Sequence, residues 1–197
     1  MRKINKVIVL LTTSDIFTWG FVYALSAITG LYLLTKLDVQ EDEVVKIVGI
    51  GTAIVSICRG TFQIPIGLLV DKIKSDNDDI AVLTIGNLFM GLPIILYVFI
   101  TTEYLYYALQ VFIGIGTALN LVTWRKLFAK NLDKGKEGLE YAMYDTVMSF
   151  SIAIFSATAG FLASEGQEYF DLVILGIGIL TVTSSIWPIL LLTIKRK

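Results

Sequence analysis

Apolar positions in this chain gather into six long runs, roughly 7–35, 46–70, 80–100, 105–124, 139–163 and 171–192, divided by short polar segments. Each run holds about the 20 residues that an α-helix needs to cross a hydrocarbon core of about 30 Å. In lipid, only helices and closed barrels satisfy their backbone hydrogen bonds internally. Barrel strands alternate in polarity, and these runs do not. The pattern predicts an all-α integral membrane protein, a single six-helix transmembrane domain over residues 1–197.

Charge then sets the expected orientation. With six crossings both termini share a side. Arg2, Lys3, Lys6, Lys72, Lys74, Arg125, Lys126, Lys130, Lys134, Lys136, Lys195, Arg196 and Lys197 fall there, against Lys36 and Lys46 on the other side. Connections this short obey the positive-inside rule, so both termini are expected in the cytoplasm. The outer connections Thr35–Val45, Thr101–Tyr104 and Ser164–Phe170 are acidic. The inner ones are Asp71–Asp79 and Arg125–Gly138, and the second reads as a short amphipathic surface helix before Gly135. The expected location is a prokaryotic cytoplasmic (plasma) membrane. The basic start followed by an apolar run reads as the first membrane helix rather than a cleaved signal, being too long and carrying Asp15. Tyr104, Tyr106, Tyr107, Tyr169, Trp124 and Tyr141 fall near the expected interfaces and read as headgroup anchors.

Composition removes several chemistries. The chain has 197 residues, 55% hydrophobic, with no histidine and one cysteine, Cys58. That leaves no imidazole base, no metal-ligand spacing and no disulfide framework. No metal, cofactor or nucleic acid is expected, and no catalytic residues stand out. The basic residues are clustered by topology, and the net charge is −1.

Polar residues inside the runs carry the remaining information. The first run places Asp15, Trp19, Tyr23 and Ser26 on one helix face. The second has Thr52, Ser56, Arg59 and Gln63; the fourth has Gln110, Thr117, Asn120 and Trp124; the fifth has Tyr141, Asp145, Ser149 and Ser156. The third offers Asn87 and little else at depth. A charge at helix centre costs about 2.5–3.5 kcal/mol on insertion scales. Counting about 1.5 Å per residue, Asp15, Asp145 and Arg59 lie about 12, 10 and 18 Å from the inner side, close enough in depth to meet. They form either a water-filled path or solute site, or a structural ion-pair network. Trp19, Tyr23, Gln63, Gln110, Asn120 and Ser149 are candidate cavity-lining residues. Gly49-Ile50-Gly51-Thr52-Ala53 echoes Gly114-Ile115-Gly116-Thr117-Ala118, read as two helices using small residues for close approach.

The inner end of the second run reads Gly67-Leu68-Leu69-Val70-Asp71-Lys72. Gly67 permits close packing. Asp71 sits at a helix C-terminus, where the macrodipole disfavours an anion, so a specific partner is expected. The segment resembles the signature between the second and third helices of the major facilitator superfamily: Gly, three residues, Asp, then Arg or Lys. The resemblance spans the chain as the N-terminal six-helix half of such a transporter. It implies that helices one, two, four and five face a cavity while three and six are peripheral, as the polar stripes also indicate. The chain departs from the family where Gln110 replaces an arginine and Ile113 a glutamine ahead of Gly114-Ile115-Gly116, and where Thr158-Ala159-Gly160 lacks the antiporter Gly-Pro. Standard proton coupling and antiport are therefore not implied.

The expected function is movement of a small, unidentified solute by alternating access, in the lipid bilayer, as a homodimer or with a second six-helix half. A non-transporting scaffold or assembly protein, and the product of a split or truncated transporter gene, are the alternatives. An enzyme is not expected.

Overall fold

The computed structural model describes residues 5–72 and 75–193. Six helices are long and apolar enough to span a membrane: α1 (Lys6–Leu37), α2 (Glu41–Lys72), α3 (Asp76–Phe99), α4 (Glu103–Asn131), α5 (Glu137–Ser164) and α6 (Glu168–Thr193). Local chemistry marks their ends. The Asn5, Ser75 and Thr102 side chains accept backbone N–H bonds in the first turns of α1, α3 and α4. Asp76, Asp78 and Asp79 sit in the first turn of α3, and Glu41, Asp42 and Glu43 in that of α2, where the dipole favours anions. Asp38 leaves α1 with φ 52°, and Gly135 separates α4 from α5 with φ 77°.

Two boundaries differ from the hydrophobic pattern. α2 starts at Glu41 rather than near 46, because charged residues propagate a helix whose first turn they stabilise. The segment after Trp124 is not a separate surface helix. It continues α4 to Asn131, since nothing from Arg125 to Asn131 breaks a helix.

The bundle is arranged around α4, which packs against both α2 and α3; α3 also packs on α6, and α5 on α1. Glycines permit these crossings. A Cβ at Gly116 would lie 2.8 Å from the Phe89 backbone, and one at Gly86 2.7 Å from the Asn120 nitrogen, so α3 and α4 meet backbone to backbone. Of the two echoed pentapeptides, Gly51 faces the Tyr106 ring and Gly114 faces Val55 and Cys58, both at the α2–α4 crossing. Gly67 differs from expectation. A Cβ there would meet only Val122 Cγ1 at 3.9 Å, so packing within this bundle does not require glycine.

Two large apolar clusters and a small one, Ile66, Val70 and Ala118, fill the interior. Leu33, Ile94 and Ile174 mark the one nearer the acidic end, and Leu11, Leu83 and Phe128 the one nearer the basic end. Tyr106 and Trp124 are core residues rather than interfacial anchors, at 2% and 5% exposure. Tyr104, Tyr141 and Tyr169 are exposed.

Candidate functional site: a polar cleft between two sparsely packed helices

α2 and α5 are the least enclosed helices. Only 11% of the most apolar window of α2 and 17% of that of α5 are buried, against 50% for α4. Between them opens a cleft of about 430 Å³ lined from four helices: Trp19 and Tyr23 of α1, Arg59 of α2, Leu121 and Arg125 of α4, and Tyr144, Asp145, Met148, Ser149 and Ile152 of α5. α3 and α6 contribute nothing to this lining.

The sequence-derived candidates divide into three groups. Trp19, Tyr23, Arg59, Asp145 and Ser149 line the cleft together. Asp15 and Asn120 lie behind it. Asp15 is buried at 2% exposure and accepts a 2.7 Å hydrogen bond from the Tyr144 hydroxyl, while its other oxygen has no partner. A π-helical turn over Ile16–Gly20 follows Asp15 and carries Trp19, which faces the cleft with Tyr23. Its i→i+5 bonding adds a residue to the turn and separates positions that a regular helix would stack. Gln63 and Gln110 stand apart: neither lines the cleft, and Gln110 is buried with its amide donating to the Tyr97 hydroxyl.

Among the described residues Arg59 forms no ion pair with Asp15 or Asp145. Asp15 uses Tyr144 instead. The three charges share a region, but a direct network does not connect them.

Behind the cleft runs a continuous line of polar contacts. Trp19 Nε1 donates to Asn120 Oδ1 at 3.0 Å, Asn120 Nδ2 to Asn87 Oδ1 at 2.8 Å, Asn87 Nδ2 to Ser14 Oγ at 3.1 Å, and Ser14 Oγ to the Ser184 carbonyl at 3.3 Å. This line joins α1, α3, α4 and α6 through the core and fixes the orientation of the Trp19 ring. Buried amides without such partners would each leave an unsatisfied polar group.

The Gly67–Lys72 segment lies at the basic end. Lys126 of α4 donates to the Val70 carbonyl at 2.6 Å and pairs with buried Asp79 at 3.1 Å. A lysine thereby caps orphan carbonyls at the C-terminus of α2 and ties it to α3. Lys130 pairs with Asp76 alongside. Asp71 itself is exposed and has no hydrogen-bond or ion-pair partner among the described residues, contrary to the partner expected from its position.

Three contributors were missed in the sequence: Arg125, Tyr144 and Lys126. Arg125 and Lys126 were assigned to a connection because the apolar run stops at Trp124. The absence of a helix breaker before Leu132 was the available signal. For Tyr144, one residue before Asp145, no periodicity distinguished it.

The structure thus shows an open cleft flanked by two exposed helices, α2 and α5, with α1 and α4 completing its lining. Residues 8–197 match the family model of the Major Facilitator Superfamily. The chain belongs to that superfamily. No curated protein and no solved structure matches the chain. Members of the superfamily are transporters rather than enzymes, and membership with six spanning-type helices points to an integral membrane protein of transporter-like function.

Proposed function

We propose that the protein moves a small solute across the membrane by alternating access, with the cleft between α2 and α5 as one wall of the solute site. A second six-helix half, either another copy of this chain or a different partner, supplies the facing wall. Both termini lie in the cytoplasm of the cell whose plasma membrane holds the protein. The observation that carries this reading is the cleft itself, in which Trp19, Tyr23, Arg59, Arg125, Asp145 and Ser149 converge from four helices on the face that is least covered. Ionisable groups at membrane depth face cavities or partners rather than lipid. The exposed apolar residues beside it, such as Ile57 and Ile64 on α2 and Phe150 and Ile154 on α5, suit burial against another bundle.

The test uses Ser149→Cys in a Cys58→Ser background, reconstituted in liposomes. A membrane-impermeant thiol reagent added to either side should label position 149, because a rocking pair of halves exposes the cleft to each side in turn. Reactivity from one side only would overturn alternating access and favour a scaffold. Cysteines introduced at 75–78 should react only from the side of the termini. Cysteines at 41–43 should react only from the other.

A further inference from the structure

The cleft contains two arginines and one carboxylate. Among the described residues, Arg59 and Arg125 take part in no ion pair, and Asp145 pairs with neither. Two of the other cations at this end are engaged elsewhere, Lys126 with Asp79 and Lys130 with Asp76. Asp15 is not in the cleft lining, and one of its oxygens accepts from Tyr144 behind it. The charges of the cleft lining thus sum to one net positive, on arginine side chains whose planar donor arrays have no partner among the described residues.

We propose that the cleft binds a small organic monoanion, with the guanidinium groups of Arg59 and Arg125 holding its carboxylate or similar oxyanion and Trp19 and Tyr23 flanking its apolar part. This identifies the solute class of the site proposed above and rests on that reading.

Four observations carry it. Arginine presents paired N–H donors that match a carboxylate, and it is the cation best suited to a partly desolvated site. The two arginines come from α2 and α4, which the Gly51 and Gly114 crossings hold together, so the backbones that carry them are set before a ligand arrives. One net charge is neutralised by a monoanion, whereas a cation would meet like charge in a low-dielectric wall. The indole N–H of Trp19 is committed to Asn120, which fixes the ring as an apolar surface with no free donor toward the cleft.

The field can be read without knowing the solute. Trp19 is the reporter, taken as the difference in fluorescence between the wild type and Trp19→Phe in nanodiscs. Iodide, caesium and neutral acrylamide are the quenchers. Iodide should quench Trp19 about tenfold better than caesium after normalising to acrylamide, the low end of the enrichment that one-signed clefts produce. Benzoate should protect Trp19 from iodide, and benzylammonium should not. Arg59→Gln and Arg125→Gln should each bring iodide and caesium close to parity, Arg59→Lys should retain the preference, and Asp145→Asn should increase it. Equal quenching by iodide and caesium in the wild type would overturn the proposal. So would an iodide preference indifferent to both glutamine variants, or benzoate that fails to protect. Labelling of position 149 from both sides with no anion preference would remove only the solute class. Anion preference with one-sided labelling would remove the transport reading and leave an anion-binding cleft.

Discussion

α4 and α5 are neighbours in the chain, 29 and 28 residues long and similarly apolar, yet 50% of the apolar window of α4 is buried against 17% of that of α5. Hydrophobicity selects both for the membrane and says nothing of which one becomes the centre of the bundle. The placement of small and polar residues decides it. α4 carries Gly114 and Gly116 where α2 and α3 cross, and Asn120 where the core polar line passes. α5 turns Phe150, Ile154 and Phe161 outward, and nothing within the bundle lies within 4 Å of where a Cβ on Gly160 would stand. Lipid tails are as apolar as leucine, so helices associate through close packing and hydrogen bonds rather than through hydrophobicity.

The strongest way to break this comparison is to overfill the two glycine positions in turn. Gly116→Val pushes a side chain into the Phe89 backbone, which cannot move aside as a side-chain end can. The expected loss is about 3 kcal/mol, the upper part of the overpacking range. Gly160→Val meets open space and should leave the thermal unfolding midpoint of the isolated chain unchanged. Comparable losses in both variants would show that α5 is packed as tightly as α4.

Adjacent basic residues on α4 give the next contrast. Lys126 faces the packed side, where it caps Val70 and neutralises Asp79, whose side chain is 2% exposed. Arg125 faces the cleft and has no ion-pair partner among the described residues. Lys126→Gln should cost about 3 kcal/mol, the low end for a broken buried pair, by leaving a buried carboxylate without its cation. Arg125→Gln should leave stability intact, and any effect should appear in ligand binding. Thermal unfolding of the two variants in one lipid composition separates the cases, and equal midpoints would sink the assignment of Lys126 to a structural role.

Smaller again is the effect expected on the polar line. Asn120→Leu removes the acceptor for Trp19 and the donor to Asn87 at once. Interhelical hydrogen bonds in membranes contribute about 1–2 kcal/mol in model peptides and less in natural bundles, so a loss of about 1 kcal/mol is expected. Ser149→Ala on α5 removes only a bond to the carbonyl of Asp145 in its own helix and should be near-neutral. The Trp19 emission maximum should shift in the first variant and not in the second.

The legible part of this molecule was the part written in single-helix patterns. Apolar run length predicted six spans, and the cleft is lined from α1, α2, α4 and α5, the helices that carry the polar stripes. Matters that depend on how two helices meet were not readable. Asp15 and Asp145 lie at similar depth on helices that touch, but the π turn and the Tyr144 hydroxyl give them different surroundings. Asn87 looked isolated because its partners, Ser14 and Asn120, are far away in sequence. Arg125 was hidden by equating the end of the apolar run with the end of the helix, although a helix only needs residues that do not break it.

The smallest effect is expected at the segment that carried the family resemblance. Gly67 and Asp71 make no tight contact within the bundle: a Cβ at 67 would reach only Val122 at 3.9 Å, and Asp71 is exposed without a partner among the described residues. Gly67→Ala and Asp71→Asn should each change stability by no more than about 0.5 kcal/mol, the range of substitutions away from special features. If the segment matters, it matters through something beyond these six helices. A second half docked against α2 places new atoms near Val70 and Asp71, and the same substitutions should then weaken association or two-sided labelling of position 149. An Asp71→Asn variant that unfolds early as an isolated bundle would instead locate its partner inside the chain and remove the need for a second half at this position.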